Sequence, residues 1–246
     1  MAICRVPGCE KQRTGFGVYC GKHLRRKQRH GDPQQITIGK TDLRPYEAKV
    51  EKWLDRRPSE LGWEPLKGIV SQLVQDAQDV VAEYENGKLS VRHIREASND
   101  IIKAAHEAPK GQKAIVQTVT GMYAMLKDRP RSFVSHEGFL FQLARRVRGL
   151  AETNVATSWN HKEGRVKRYY RDASPRRMEA LGKLLSGALG GPALVVLETM
   201  DADEIAIKDE RADTYAKLRQ PTPIIDPTGE RPAGPGGDQG TDSGQR

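Results

Sequence analysis

All three cysteines of this 246-residue chain lie between positions 4 and 20, and a histidine stands three residues after the last of them. The spacing is Cys4-x4-Cys9, a ten-residue gap, then Cys20-x2-His23. An odd, clustered set of thiols beside a histidine points to a metal, because structural disulfides in a secreted chain favour an even count. Zinc takes thiolate and imidazole in closed tetrahedral sets, and close ligand pairs at both ends of a short loop supply the four donors of a small finger. The residues between suit such a loop. Pro7-Gly8 predicts a turn before Cys9 with Gly8 at positive φ. Gly15-Phe16-Gly17-Val18-Tyr19 reads as a short strand or turn returning to Cys20, and Gly21 as a tight bend around the metal. His30, two helical turns after His23, competes for the fourth position; the x2 spacing from Cys20 favours His23. Some thirty residues cannot bury enough apolar surface to fold alone. Zn2+ on Cys4, Cys9, Cys20 and His23 would supply what is missing, at roughly 10–16 kcal/mol in finger peptides.

After the last ligand the chain reads Leu24-Arg25-Arg26-Lys27-Gln28-Arg29-His30-Gly31-Asp32-Pro33. This predicts a short helix stopped by Gly31 and Pro33. Lys22, Arg25, Arg26, Lys27 and Arg29 make its exposed positions cationic, and arginine suits bidentate recognition of phosphate or guanine. The run Cys4-x-Val6-x-Gly8-Cys9, then Gly17-x-Tyr19-Cys20-x-x-His23 and Arg29-His30-Gly31-Asp32-Pro33, resembles the small N-terminal zinc finger of many phage and actinobacterial mobile-element proteins. That resemblance covers about residues 1–33. It implies nucleic-acid binding by the finger, often ahead of an HNH endonuclease or a site-specific recombinase.

The net charge of +9 is unevenly placed. Residues 1–31 carry +7, residues 32–128 carry −1, residues 129–180 carry +7 and residues 181–246 carry −4. Two basic blocks separated by a neutral one suggest a polyanionic partner, nucleic acid and in particular double-stranded DNA. In the second block Arg145, Arg148, Arg165, Lys167, Arg168 and Arg171 are the candidate phosphate contacts, on a basic helical surface spanning about 145–177. Tyr169 and Tyr170 within it either stack on bases or pack a helix against its neighbour.

Beyond the finger the pattern is helical. Residues 34–44 read as a linker. Helices are expected from Pro45 to about Arg57, from about Glu64 to Glu85, from a Ser90 cap to Pro109, and through Ile115, Val119, Met122 and Leu126. Further helices are expected over about Glu137–Ala151 and from Ser174-Pro175, with a last, acidic helix starting at Asp201 or Asp203 and running to about Arg219. No segment alternates with period two over any length. The expected fold is mainly α: a zinc finger over 1–33, a helical bundle over 45–219 and a disordered tail over 220–246, where eleven of 27 residues are Pro or Gly and none is aromatic. The longest apolar run, Ala193–Leu197, is far shorter than the roughly 20 residues of a membrane span. The first residues carry no secretory signal. A cytoplasmic protein of a bacterial cell or infected host is expected.

No catalytic set assembles from the sequence. Trp159-Asn160-His161, read as helix termini and loop, is the nearest fragment to an HNH site and has no Asp-His pair upstream. His161, Arg165 and Tyr169 or Tyr170 offer the residue types of a tyrosine recombinase at the wrong spacing. His93 and His106 lie 13 residues apart, nearly opposite on one helix. Phosphate loops, nucleophile elbows and HExxH do not occur. The reading is therefore a DNA-binding protein. The alternatives are a nuclease- or recombinase-related enzyme, and an adaptor whose helical body binds another protein while the finger anchors it.

Overall fold

The computed structural model of the chain describes residues 2–58, 62–170 and 172–219, and of residues 153, 155, 156 and 167–170 the backbone alone. The expected tail, 220–246, lies outside the described residues. The elements are α1 (Gly21–His30), α2 (Lys40–Arg56), α3 (Trp63–Glu85), α4 (Arg92–Glu107), α5 (Gln112–Asp128), α6 (His136–Arg148), strands β1 (Val155–Asn160) and β2 (Arg165–Tyr170), and α7 (Pro175–Arg219). Residues 1–201 and 202–246 form two separate units. The mainly α fold expected from the sequence is the observed one.

Packing in the first unit centres on α5. From Ala114 to Met122 every residue of this helix is buried, as expected of a helix surrounded by others. On one side it crosses α2 so closely at Gly121 that an added Cβ would lie 3.3 Å from the Glu47 backbone nitrogen. Thr118 donates to Glu47 there at 2.8 Å, and Lys113 pairs with Asp55 at 2.6 Å. Helices α3 and α4 pair as an αα-hairpin beside it. Of the apolar stripe expected on α3, Leu66, Leu73, Val74 and Ala77 are buried, joined by Val70, while Ile69, Val80 and Tyr84 are half-buried. Of that expected on α4, Ile101 and Ala105 are buried, joined by Ala97 and Ala104, while Val91, Ile94 and Ile102 are half-buried.

Four boundaries or elements differ from the sequence reading. Helix α2 begins at Lys40, not Pro45: Asp42 accepts from the Gly39 backbone N–H at 2.7 Å, and Pro45, the sixth residue of the helix, lies inside it and forfeits one backbone bond. The supposed linker is thereby shortened to 34–39, and Gln35 and Ile38 within it are buried. Helix α4 starts after Val91 with no side-chain cap, so Ser90 does not cap it. Third, the helix from Pro175 does not stop before Asp201; it continues as one element to Arg219. Its Pro192 forfeits one backbone bond, while Leu181, Leu185, Leu189, Ala193, Val196 and Leu197 bury its apolar face. A window of α7 is long and apolar enough to cross a membrane, and 44% of it is buried, with these core residues along the helix. In the second unit the described part, 202–219, is helical and exposed at nearly every residue, Tyr215 and Leu218 included.

The fourth difference is a sheet where helix and loop were expected. β1 and β2 pair antiparallel, with Val155 opposite Tyr170 and Asn160 opposite Arg165. Gly164, at φ 60°, completes the turn between them, and Asn160 Oδ1 accepts from the Lys162 N–H at 3.1 Å. The ribbon shows no apolar–polar alternation because its described side chains do not pack on the core: those from Thr157 to Val166 are exposed, Asn160 being half-buried.

The base of this ribbon is fastened by a buried ionic cluster. Asp100 of α4 is fully buried and receives both Nε and Nη2 of Arg177, each at 2.7 Å. Arg148 reaches the same carboxylate at 3.3 Å. Asn154, the residue before β1, donates to Asp100 at 3.3 Å and to the Arg148 carbonyl at 3.0 Å. The segments entering and leaving the ribbon are thus held on one carboxylate.

Candidate metal centre and cationic surface

The finger is built from a few backbone bonds around a very small core. Cys4 N–H bonds to the Lys11 carbonyl at 2.9 Å and Arg5 N–H to the Val18 carbonyl at 2.9 Å, closing the two arms of the loop. Gly8 takes φ 72° at the expected turn. Gly21 makes no bend; it is the first residue of α1. Cys4, Val6 and Cys20 are buried, with Cys9 and Tyr19 packed against them, and no larger apolar cluster exists among the described residues of this region.

These arms bring the four expected ligands together. The Sγ atoms of Cys4, Cys9 and Cys20 and a ring nitrogen of His23 all lie within 4.8 Å of one another. Cys4 Sγ and Cys20 Sγ stand 3.4 and 3.5 Å from His23 Nδ1, and Cys9 Sγ stands 3.9 Å from Cys20 Sγ. Ligand–zinc distances of about 2.3 Å for sulfur and 2.0–2.1 Å for nitrogen give tetrahedral edges of about 3.8 Å (S–S) and 3.6 Å (S–N). These three distances match those edges and the remaining ones stay within 4.8 Å, so the site can hold a metal ion. The Cys20 thiol, at the N-terminus of α1, is held below its usual value first by the His23 backbone amide, against the opposing effect of burial. Lowered thiol pKa values at helix N-termini favour the thiolate that metals take.

His30 is not a fourth ligand; it is the joint between finger and bundle. Its Nδ1 lies 3.3 Å from Gln142 Nε2 and its Nε2 lies 3.3 Å from Thr37 Oγ1. The Gln142 Oε1 atom accepts from the Ile38 N–H at 3.0 Å, which fixes the amide with its NH2 toward the imidazole. His30 therefore accepts at Nδ1 and is neutral, with its proton on Nε2. Burial first, then the charges of Arg145, Arg26 and Arg29, push its pKa down to about 4. Gly31 caps α1 at φ 81°, and a Cβ there would fall 2.7 Å from the Glu137 carbonyl and from Phe141. Next comes Gln35, fully buried, which donates to the Ser132 carbonyl at 2.9 Å and accepts from the Val134 N–H at 2.9 Å. The His-Gly-Asp-Pro run is thus a docking device against α6, and sequence reasoning missed both glutamines because each lies about a hundred residues from its partner.

The expected cations divide. Lys22, Arg25, Lys27 and Arg29 are exposed on α1 and Arg26 is half-buried. Lys27 lies over the Tyr19 ring, 5.5 Å from its centroid. Arg145 of α6 is half-buried and bears on His30 together with Arg26 and Arg29, so cations of finger and bundle meet at the joint. Arg148 is a correction: it is 7% exposed and belongs to the Asp100 cluster, where it cannot reach a phosphate. Arg165 is exposed at the ribbon tip beside Glu163, 2.6 Å away. Lys167 and Arg168 lie on β2, not on a helix, and Arg171 lies outside the described residues. His161 is exposed in the ribbon turn, His106 is exposed on α4, and His93 is half-buried. His93 lines a cleft of about 530 Å³ between α4 and α7, with Ile94, Arg176, Glu179 and Lys183 among its walls. Comparison of the chain with family models, curated proteins and solved structures finds no match to any of them.

Proposed function

We propose that this is a zinc-finger nucleic-acid-binding protein of phage or mobile-element type, acting on DNA in the cytoplasm of a bacterial cell or infected host. The observation that carries the reading is the joining of two features in thirty residues. A closed Cys3His donor set, with no position left for a reacting water, suits a structural zinc, and the helix that begins at its third cysteine presents Lys22, Arg25, Lys27 and Arg29 to solvent. Zinc would hold Cys4, Cys9, Cys20 and His23 and so fix the entry of α1. A short cationic helix fits the major groove, and Arg145 extends the positive surface onto the bundle.

The test has a metal part and a binding part. Purified protein contains about one zinc per chain; Cys20→Ser loses it and His30→Ala keeps it. Binding to duplex DNA, single-stranded DNA and RNA is then measured at two salt concentrations. Each neutralised phosphate adds a slope of roughly −0.9 on duplex DNA, so exchanging Arg25, Lys27 and Arg29 for glutamate flattens the salt dependence and abolishes discrimination between sites. Absence of zinc from protein prepared without chelator, or an unaltered triple variant, rejects this function.

A further inference from the structure

The ribbon carries a tryptophan where an apolar side chain has no structural reason to be. Trp159 is 54% exposed and Val166, directly opposite it in the register, is 58% exposed. Trp53, Phe133, Phe139 and Phe141 of the first unit are buried, whereas Phe16, in the glycine turn of the finger, is exposed as Trp159 is. Around the exposed pair the chain is cationic: Lys162, Arg165, Lys167 and Arg168 against Glu163 alone between 155 and 170. By register, positions 165 and 167 fall on one face and position 168 shares the other with Trp159. The ribbon's base is held on Asp100 through Asn154 and Arg177, whereas the described side chains of its outer half are exposed. It is an arm with a fixed root and a flat aromatic tip.

We infer that this arm is a nucleic-acid wedge, in which Trp159 stacks on a base while Lys162 of the turn and Arg165, on the opposite face of the tip, hold the phosphates that flank it. Every base offers a π-face to an aromatic side chain, and the exposed cations Lys162 and Arg165 beside the tip suit a polyanionic partner. An aromatic wedge driven into intact duplex must first unstack a base step. A base already unpaired spares that cost. The arm therefore directs the protein to single-stranded or bulged sites, an addition to the duplex grip of α1. This inference rests on the nucleic-acid reading above and adds the kind of site preferred.

The experiment compares full-length wild-type protein with Trp159→Ala, Trp159→Phe and the pair Lys162→Glu/Arg165→Glu. The probes are a single strand, a perfect duplex and the same duplex with one unpaired base. Trp159 is largely exposed, so unchanged helical circular dichroism and melting temperature are expected in all variants. Wild type binds the unpaired probes about tenfold more tightly than the perfect duplex; Trp159→Ala removes that margin and Trp159→Phe retains most of it. The double glutamate variant weakens all three probes alike. Equal binding of the three probes by wild type, or an unchanged margin in Trp159→Ala, overturns the wedge while leaving the finger's function standing. Failure to bind any probe overturns both. Vesicles rich in phosphatidylserine are the control: binding to them that depends on Trp159, with nucleic-acid binding indifferent to it, assigns the tip to membranes and overturns the wedge.

Discussion

His30, which its spacing sets second to His23 as a metal ligand, is used for another purpose. Its sequence neighbourhood offers it to the metal, but its ring nitrogens face Gln142 and Thr37. Because Gln142 presents an NH2 group to Nδ1, a second proton on the ring would meet a donor, and Arg145 of α6 with Arg26 and Arg29 of α1 add like charge. A free imidazole titrates near 6.5 and this one near 4. Between those values the unfolded chain binds a proton that the folded chain refuses. The joint's contribution to stability is therefore complete above about pH 6.5, declines as pH falls and levels off below about 4. Urea midpoints measured across this range drop more for wild type than for His30→Gln, which lacks the titration; acid release of metal from the thiolates affects both proteins alike. Parallel curves would show that the imidazole is not held neutral. At this scale the sequence disclosed Cys4, Cys9, Cys20 and His23, because ligand spacing is local. It concealed Gln142, whose bond to His30 spans 112 residues.

Among the elements, the helices packed on the core were legible and the ribbon, whose described side chains are exposed, was not. The stripes on α3 and α4 follow the helical period because each turn must return an apolar residue to the core. The described side chains of the β1–β2 ribbon are exposed and impose no period, so its remaining signal was compositional: Val, Thr, Trp and Tyr flanking an Asn-to-Gly turn. The same reasoning explains the missed continuity of α7, whose last part, exposed and acidic, has no face to extend. What keeps the ribbon in place is Asp100, a residue the helical stripe of α4 passes over. Removing this carboxylate leaves the guanidinium groups of Arg148 and Arg177 beside each other with Glu96, 3.9 Å from Arg177, as a more distant counter-charge, and breaking a buried ion pair costs about 3–5 kcal/mol. Asp100→Ala loses stability of that order in chemical unfolding, and exchange protection disappears first at residues 154–170. A loss below about 1 kcal/mol would mean that the cluster does not anchor the ribbon.

For the molecule as a whole, the sequence suggested a finger on a linker and the structure gives a finger seated on the bundle. The two parts still differ in what sustains them. Cys4, Val6 and Cys20 are all the buried core the finger has, whereas the bundle's core runs continuously from Ile38 to Val196. Chelation of the metal consequently unfolds residues up to about 30 and leaves most of the helical circular dichroism intact, with the bundle melting slightly lower once the joint is released. Collapse of the whole helical signal on chelation would show that the bundle folds only around the finger. The close seat of Gly31 against Phe141 and the Glu137 carbonyl also bears on how such a chain can be rebuilt. A finger with its own metal-ligand set but locked to a neighbour by two glutamines is not an interchangeable module. Transplanted ahead of another body, residues 1–33 would carry their metal and their cations but lose their heading. A productive chimaera has to inherit Gln35, Gln142 and the bare backbone at 31 together, so recombination that shuffles such fingers between proteins would be expected to cut beyond α6 and not at the end of the zinc motif.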